Sequence, residues 1–260
     1  MILKKETAEA INQLARFCGK RELPAIKQQL STDKIDIAVL FGGSILQGGD
    51  VFAQIIKEKV AAKTIIVGGF GHTTRLLFKQ AEKEIPGIST NVTTEAQLFA
   101  NYLKIKYDLT ADYLETKSTN CGNNITYLLD LIQKKQLKMN SILMIQDASM
   151  QLRMEACLRK YLSKEVKIIN YAAYQTSVIV ENNQLIYDRP IHGMWEIDHY
   201  LSLLMGEIPR LYDNENGYGP NGKQFIAHVD IPQEVLAAYC FLQKKFPDAT
   251  RSANDDYASK

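Results

Sequence analysis

The stretch TIIVGGFGHTTR, residues Thr64 to Arg75, joins a strand-like segment to a glycine-rich turn. Its first four residues, TIIV, are mostly apolar and β-branched, which is typical of a buried parallel strand. Gly68, Gly69 and Gly71 then allow the backbone to turn tightly beside whatever binds there. We therefore predict that a strand ends here in a flexible, polar turn.

The polar residues His72, Thr73 and Thr74 follow these glycines, where a helix would begin. Hydroxyls, an imidazole and free backbone N–H groups at such a position could converge on an anionic or nucleotide-like ligand. We predict a binding site at this turn. The alternative is a βα turn that serves only packing, because a lone Gly-x-Gly is a weak signal.

Strand-like and helix-like patterns alternate on both sides of this stretch. The predicted strands are Ile35–Phe41, Thr64–Val67, Tyr113–Glu115, Ser141–Ile145 and Val166–Ile169. Amphipathic helical patterns separate them, and the chain starts with one helix ending at Gly19 and a shorter one after Pro24. This alternation predicts an α/β fold, a Rossmann-like parallel sheet with helices on both faces.

The alternation stops after about Ala173, and two helical patterns then flank a Gly/Asn-rich loop from Tyr212 to Gly222. We predict a Rossmann-like domain with N-terminal helices over residues 1–174. A smaller, mainly helical domain over residues 175–260 is expected to cover the cleft of the first.

The composition excludes several classes of protein. Lys and Arg number 31 against 29 Asp and Glu, which leaves a formal charge of +2, too balanced for a nucleic-acid footprint or for binding to a membrane surface. The four cysteines are scattered without zinc-site spacing, so no metal is expected. Neither an export signal nor a membrane span is visible, so we expect a cytoplasmic protein with reduced thiols.

Four polar clusters share one position in the predicted fold, at the carboxyl end of a strand or the start of the following helix. They are Gly42 with Gly43 and Ser44, Gly68 to Thr74, Ser118 to Asn124, and Gln146 to Ser149. Ligands of open α/β sheets bind at this edge. The first turn, GGSILQGG, lacks the dinucleotide fingerprint, which disfavours ordinary NAD binding, and no P-loop motif is present.

Three residues of this predicted edge are candidates for acid–base catalysis: His72, Glu95 and Asp147. Each has a structural alternative, which is a hydrogen-bonding role for His72, stabilisation of a helix dipole for Glu95 and helix capping for Asp147. Arg153 could neutralise an anion, or it could be a solvated helix residue. The polar loop Ser118 to Asn124 offers many hydrogen-bonding groups for a ligand. The structural alternative is that these groups only cap the turn before the next helix. The predicted ligand contacts are Gly42, Gly43, Ser44, Gly68, Gly69, Gly71, His72, Thr73, Thr74, Glu95, Ser118, Asn120, Asn124, Asp147 and Arg153.

Five blocks of the sequence together resemble a known family. They are GGFGHTT (68–74), TEAQLFANYL (94–103), STNCGNN (118–124), QDASMQLR (146–153) and WEIDHYLSLLMGEIPRLYDNENGYGPNGKQFIAHVDIP (195–232). Over nearly its whole length the chain resembles the YdcF-like members of the SanA/ElyC/YdcF family. The SanA-like and ElyC-like members carry an N-terminal membrane anchor, which is not expected here, so their envelope role does not transfer to this chain. They also tend to have a histidine where Ser149 stands here, which weakens the expectation of shared histidine-dependent catalysis.

The resemblance implies a Rossmann-like domain, a smaller second domain and binding of S-adenosylmethionine in the cleft between them. It places nine residues near that ligand: Gly42, Gly68, Gly69, Gly71, His72, Glu95, Asn120, Asn124 and Asp147. Our leading hypothesis is a cytoplasmic protein that binds S-adenosylmethionine or a related nucleotide and that could act as a transferase. The alternatives are a hydrolase or transferase acting on a phosphorylated or nucleotide metabolite, and a non-catalytic ligand sensor.

Overall fold

The computed structural model describes residues 2–23, 34–43, 45–71 and 73–250. The elements are α1 (Ile2–Cys18), β1 (Ile35–Phe41), α2 (Gln47–Lys57), β2 (Ala61–Val67), α3 (Thr74–Glu84), α4 (Glu95–Tyr107), β3 (Tyr113–Glu115), α5 (Cys121–Lys134), β4 (Ser141–Ile145), α6 (Gln151–Arg159), β5 (Lys167–Asn170), β6 (Val178–Glu181), β7 (Gln184–Tyr187), α7 (Ile197–Leu211) and α8 (Gln233–Lys245), followed by a 3₁₀ turn (Pro247–Ala249). The helix predicted after Pro24 lies outside the described residues, as do Ser44 and His72.

The central element is a sheet of five strands in the order β3-β2-β1-β4-β5. All four pairings between neighbouring strands are parallel. Every residue of β1 is buried, which requires cover on both faces of the sheet. This strand order is the one found in doubly wound nucleotide-binding folds, and the predicted Rossmann-like α/β class is confirmed.

Helices cover both faces because the chain reverses its direction along the sheet. The connections from β1 to β2 and from β2 to β3 run one way, and the connection from β3 to β4 runs back. Since such crossovers are right-handed, α2 and α4 lie on one face and α5 on the other. The direction changes between β1 and β4, and the carboxyl ends of those two strands are therefore the expected ligand position.

The described residues form two compact units. The sheet unit contains residues 21–147 and 162–173, and the helical unit contains residues 2–20, 148–161 and 174–250. In the helical unit α1 packs against α6, α7, α8 and the hairpin β6–β7. This grouping by contacts differs from a linear division at residue 174, because α1 and residues 148–161 group with the C-terminal part. That the C-terminal part covers the cleft remains a prediction.

The hairpin β6–β7 was not predicted from the sequence. It turns at Asn182 and Asn183, both of which have left-handed backbone angles. The side chain of Asn12 on α1 binds the first strand as a neighbouring strand would, since it accepts a hydrogen bond from the N–H of Val178 (2.7 Å) and donates to its carbonyl oxygen (2.9 Å).

Across the described ranges, no helix combines the length and the hydropathy needed to span a bilayer.

Candidate functional site

The turns after β1 and β2 are bound to each other at the carboxyl edge of the sheet. The N–H of Gly42 donates to the carbonyl oxygen of Val67 (2.7 Å). Gly43 has a φ of 85°, which favours glycine, and its carbonyl oxygen accepts a hydrogen bond from the hydroxyl of Thr73 (2.9 Å). The turn after β1 therefore contacts both ends of the glycine-rich turn after β2.

Glu95 is held at the same place by the start of α4. Thr94 caps this helix with a complete capping box, and Glu95 is the first helical residue. The N–H of Glu95 donates to the carbonyl oxygen of Gly69 (2.9 Å), and that of Ala96 donates to Gly68 (2.8 Å). The helix therefore begins directly against the glycine-rich turn.

Gly42, Gly43 and Gly68 form what we call the glycine cradle, because they leave room for the side chain of Glu95. A Cβ atom on Gly42 would lie 2.7 Å from the Cβ of Glu95 and 2.8 Å from its Oε2. A Cβ on Gly43 would lie 3.1 Å from the same Oε2, and one on Gly68 would lie 3.0 Å from the Cβ of Glu95. Glycine is therefore required at these three positions because the side chain of Glu95 occupies the adjacent space.

The carboxyl group of Glu95 is buried and only partly satisfied. The residue is 5% exposed, and its Oε1 accepts a hydrogen bond from the hydroxyl of Thr74 (2.6 Å). Its Oε2 accepts none from the described residues. Burial raises the pKa of Glu95 to about 7, against a smaller lowering by the Thr74 hydrogen bond. Near neutral pH both protonation states are therefore populated, as an acid–base group requires.

The turn after β3 joins the same arrangement through Ser118. The hydroxyl oxygen of Ser118 accepts a hydrogen bond from the N–H of Gly69 (3.1 Å). Glu115, the last residue of β3, shapes this turn, since its Oε1 accepts from the N–H groups of Lys117 (2.5 Å) and Ser118 (3.1 Å). Sequence reasoning missed Glu115, although an acidic residue closing a predicted strand was a visible signal.

Asn120 and Asn124 occupy the beginning of α5. The side chain of Asn120 caps this helix by accepting a hydrogen bond from the N–H of Asn123 (2.9 Å). The N–H of Asn124 donates to the carbonyl oxygen of Asn120 (2.9 Å). The polar loop predicted over 118–124 is thus shorter than expected, because α5 already begins at Cys121.

Asp147 follows β4 at the same edge. The pairing of Leu40 with Ile145 brings the residues after β4 beside the end of β1. Asp147 is 2% exposed, and its N–H donates to the side-chain oxygen of Gln146 (2.7 Å). The capping role considered for Asp147 is wrong, because Met150 occupies the cap position of α6.

Arg153 belongs to the helical unit and is not a solvated helix residue. Its guanidinium forms a two-point ion pair with the carboxylate of Glu207, in which Nη2 lies 2.9 Å from Oε1 and Nε binds Oε2. Both side chains are largely buried, at 11% and 7% exposure. Ser44 and His72, predicted beside the glycines, lie outside the described residues.

We refer to the following residues together as the carboxyl-edge site: Gly42, Gly43, Gly68, Gly69, Gly71, Thr73, Thr74, Glu95 and Ser118. A cavity of about 260 Å³ lies at the opposite edge of the sheet, beside Thr64 and Asp112. Another, of about 380 Å³, is lined by residues of the helical unit around Trp195. Neither cavity is lined by any of the predicted ligand contacts.

The described ranges contain no group of three or more His, Cys, Asp or Glu side chains arranged to hold a metal ion. The described polar groups of the carboxyl-edge site are hydroxyls, backbone amides and the Glu95 carboxyl. A scan of the chain against protein-family models finds no match.

Proposed function

We propose that this protein binds a small nucleotide-like molecule at the carboxyl-edge site, with S-adenosylmethionine as the first candidate. One observation carries the proposal, namely that the glycine cradle surrounds a buried carboxyl whose Oε2 accepts no hydrogen bond from the described residues. This group lies at the edge where open α/β sheets bind ligands. The choice of S-adenosylmethionine rests on the family resemblance.

The groups around Glu95 suit a polar ligand. In its ionised form the carboxylate would accept hydrogen bonds from ligand hydroxyl or amino groups, and in its protonated form it would donate one. At the amino end of α3, Thr73 makes no side-chain capping bond and the first turn carries no acidic residue. Such an end favours negative charge.

Isothermal titration calorimetry with S-adenosylmethionine tests the proposal. We expect saturable binding to the wild type and at least about 10-fold weaker binding to Glu95→Gln, because charged hydrogen bonds contribute roughly 1.5–3 kcal/mol. Glu234→Gln is the matched control, since Glu234 is an exposed acid in the first turn of α8. No heat from the wild type at high protein concentration would remove this ligand.

A second candidate function is acid–base catalysis on a phosphorylated or nucleotide metabolite, by a hydrolase or a transferase. The observation that favours it is the burial of the Glu95 carboxyl with one hydrogen bond from Thr74, and this burial raises its pKa to about 7, which suits a general acid or base. Asp147 lies at the neighbouring strand end and is the second candidate for such a role.

A screen of phosphatase, nucleotidase and methyl-transfer substrates tests this second function. For any substrate turned over, Glu95→Gln should lower kcat by about 100-fold or more. The wild-type rate should show a limb near pH 7 that the variant lacks. Unchanged kcat and an unchanged pH profile in Glu95→Gln would exclude Glu95 as the acid–base group, and Asp147→Asn would then be tested in the same way.

A further inference from the structure

Arg21 lies at the same edge of the sheet, beyond β5. It forms an antiparallel bridge with Tyr171, the residue that follows β5, and the N–H of Tyr171 donates to the carbonyl oxygen of Met144 on β4 (2.9 Å). Counting across the sheet, Arg21 is three strand spacings from the β1 end and four from the β2 end, or about 14 and 19 Å at ~4.8 Å per strand.

Tyr171 provides a fixed platform for the guanidinium of Arg21. The guanidinium carbon lies 3.8 Å from the centre of the Tyr171 ring, which is within the range of a cation–π contact. Tyr171 is only 3% exposed, so its ring cannot swing away without disturbing the core. The stack therefore fixes the plane of the guanidinium before any ligand arrives.

The positive charge of Arg21 has no counter-charge within the described ranges. Its Nε is buried and makes no hydrogen bond, and no carboxylate of the described residues forms an ion pair with it. The adjacent Glu22 instead accepts hydrogen bonds from the N–H (2.7 Å) and the side-chain amide (3.2 Å) of Asn170. A buried donor without a partner is costly, which indicates a binding role rather than a stabilising one.

We propose that Arg21 binds the anionic group, a carboxylate or a phosphate, of the ligand held at the carboxyl-edge site. A guanidinium fits both groups, because its parallel N–H donors match two oxygens. This inference rests on the proposed function and narrows it, since the ligand must carry a negative charge at one end.

Calorimetry with two matched pairs of compounds tests this proposal. In each pair one compound carries the anion and the other lacks it: S-adenosylmethionine against decarboxylated S-adenosylmethionine, and adenosine 5′-monophosphate against adenosine. The compound with the anion is called the anionic member of its pair, whatever its net charge. The wild type should bind the anionic member of at least one pair about 10-fold or more tightly. Arg21→Met should lose about 10- to 100-fold for that member and less than about 2-fold for its counterpart without the anion.

The pair whose preference disappears in Arg21→Met identifies the anion as a carboxylate or as a phosphate. Arg16→Met is the charge-matched control, because Arg16 is an exposed residue of α1 that pairs with Glu9, and it should bind as the wild type does. Arg21→Lys keeps the charge without the paired donors and should show an intermediate loss. It also replaces Arg21→Met if that variant does not fold.

Two results would overturn the inference, and they differ. If the wild type binds nucleosides and Arg21→Met or Arg21→Lys keeps its full preference for the anionic members, the role of Arg21 is refuted while the proposed function stands. If the wild type binds none of the four compounds, the proposed function fails and the inference fails with it.

Discussion

The free energy of unfolding is expected to fall by about 3 kcal/mol as pH rises from below 4.5 to above 7, because folding raises the pKa of the Glu95 carboxyl to about 7. Between these values the unfolded chain has lost the Glu95 proton while the folded protein still holds it. The stabilisation is therefore complete below the ordinary pKa of about 4.5 and is lost as pH rises through about 7. Glu95→Gln should remove most of this fall, since its amide does not titrate.

Chemical denaturation at half-unit pH intervals, on the wild type and Glu95→Gln, measures this effect. The difference between the two curves is the informative quantity, because His228 contributes in the same direction. Hydrogen bonds to Asp213 and Asp230 raise the pKa of His228, so its own stabilisation also fades as pH rises. Glu234→Gln should follow the wild type, whereas parallel curves for the wild type and Glu95→Gln would show that Glu95 titrates normally.

Gly69→Ala is expected to destabilise the protein by about 3 kcal/mol, at the upper end of overpacking effects. An added Cβ would lie 2.1 Å from the carbonyl oxygen of Ser118 and 2.9 Å from the backbone of Lys117. Because these are backbone atoms, the turns after β2 and β3 would have to separate. The hydrogen bond from the N–H of Gly69 to the Ser118 hydroxyl would then be lost.

The matched control for this substitution is Gly122→Ala in the first turn of α5. The nearest atom to its added Cβ is the side-chain oxygen of Asn120, at 3.2 Å, which can move. Alanine also favours the helix by up to about 1 kcal/mol, so this variant should unfold close to the wild type. Thermal unfolding measures both variants. A melting temperature for Gly69→Ala equal to that of Gly122→Ala would contradict the close approach of the two turns.

Much of the sheet could be predicted because its central strands β1 and β4 are almost wholly buried. Ile35–Phe41, Tyr113–Glu115 and Ser141–Ile145 are uninterrupted strand-like runs between polar turns, and their observed bounds are the predicted ones. Two predicted strands differ from the observed ones. Thr64–Val67 begins three residues earlier, at Ala61, and Val166–Ile169 is displaced by one residue, to Lys167–Asn170. The parallel direction of the strands follows from the alternation of strands and helices along the chain.

Other features depend on contacts between distant residues. The two asparagines at 182 and 183 lie between apolar runs and form the turn of the hairpin, a local signal that the sequence prediction did not include. The glycines were read as room for a ligand, whereas Gly42 and Gly68 make room for Glu95. No local pattern reveals that a residue so far along the chain fills that space, or that Arg21 stacks on Tyr171.

The most direct test of the central claim is a backbone amide NMR titration with S-adenosylmethionine, which locates binding residue by residue. We predict that the shifts concentrate at Gly42, Gly43, Gly68, Gly69 and Ser118. The amides at the opposite edge of the sheet, such as Lys63 and Asp112, should stay unchanged. No shifts at saturating ligand, or shifts confined to that opposite edge, would contradict the account.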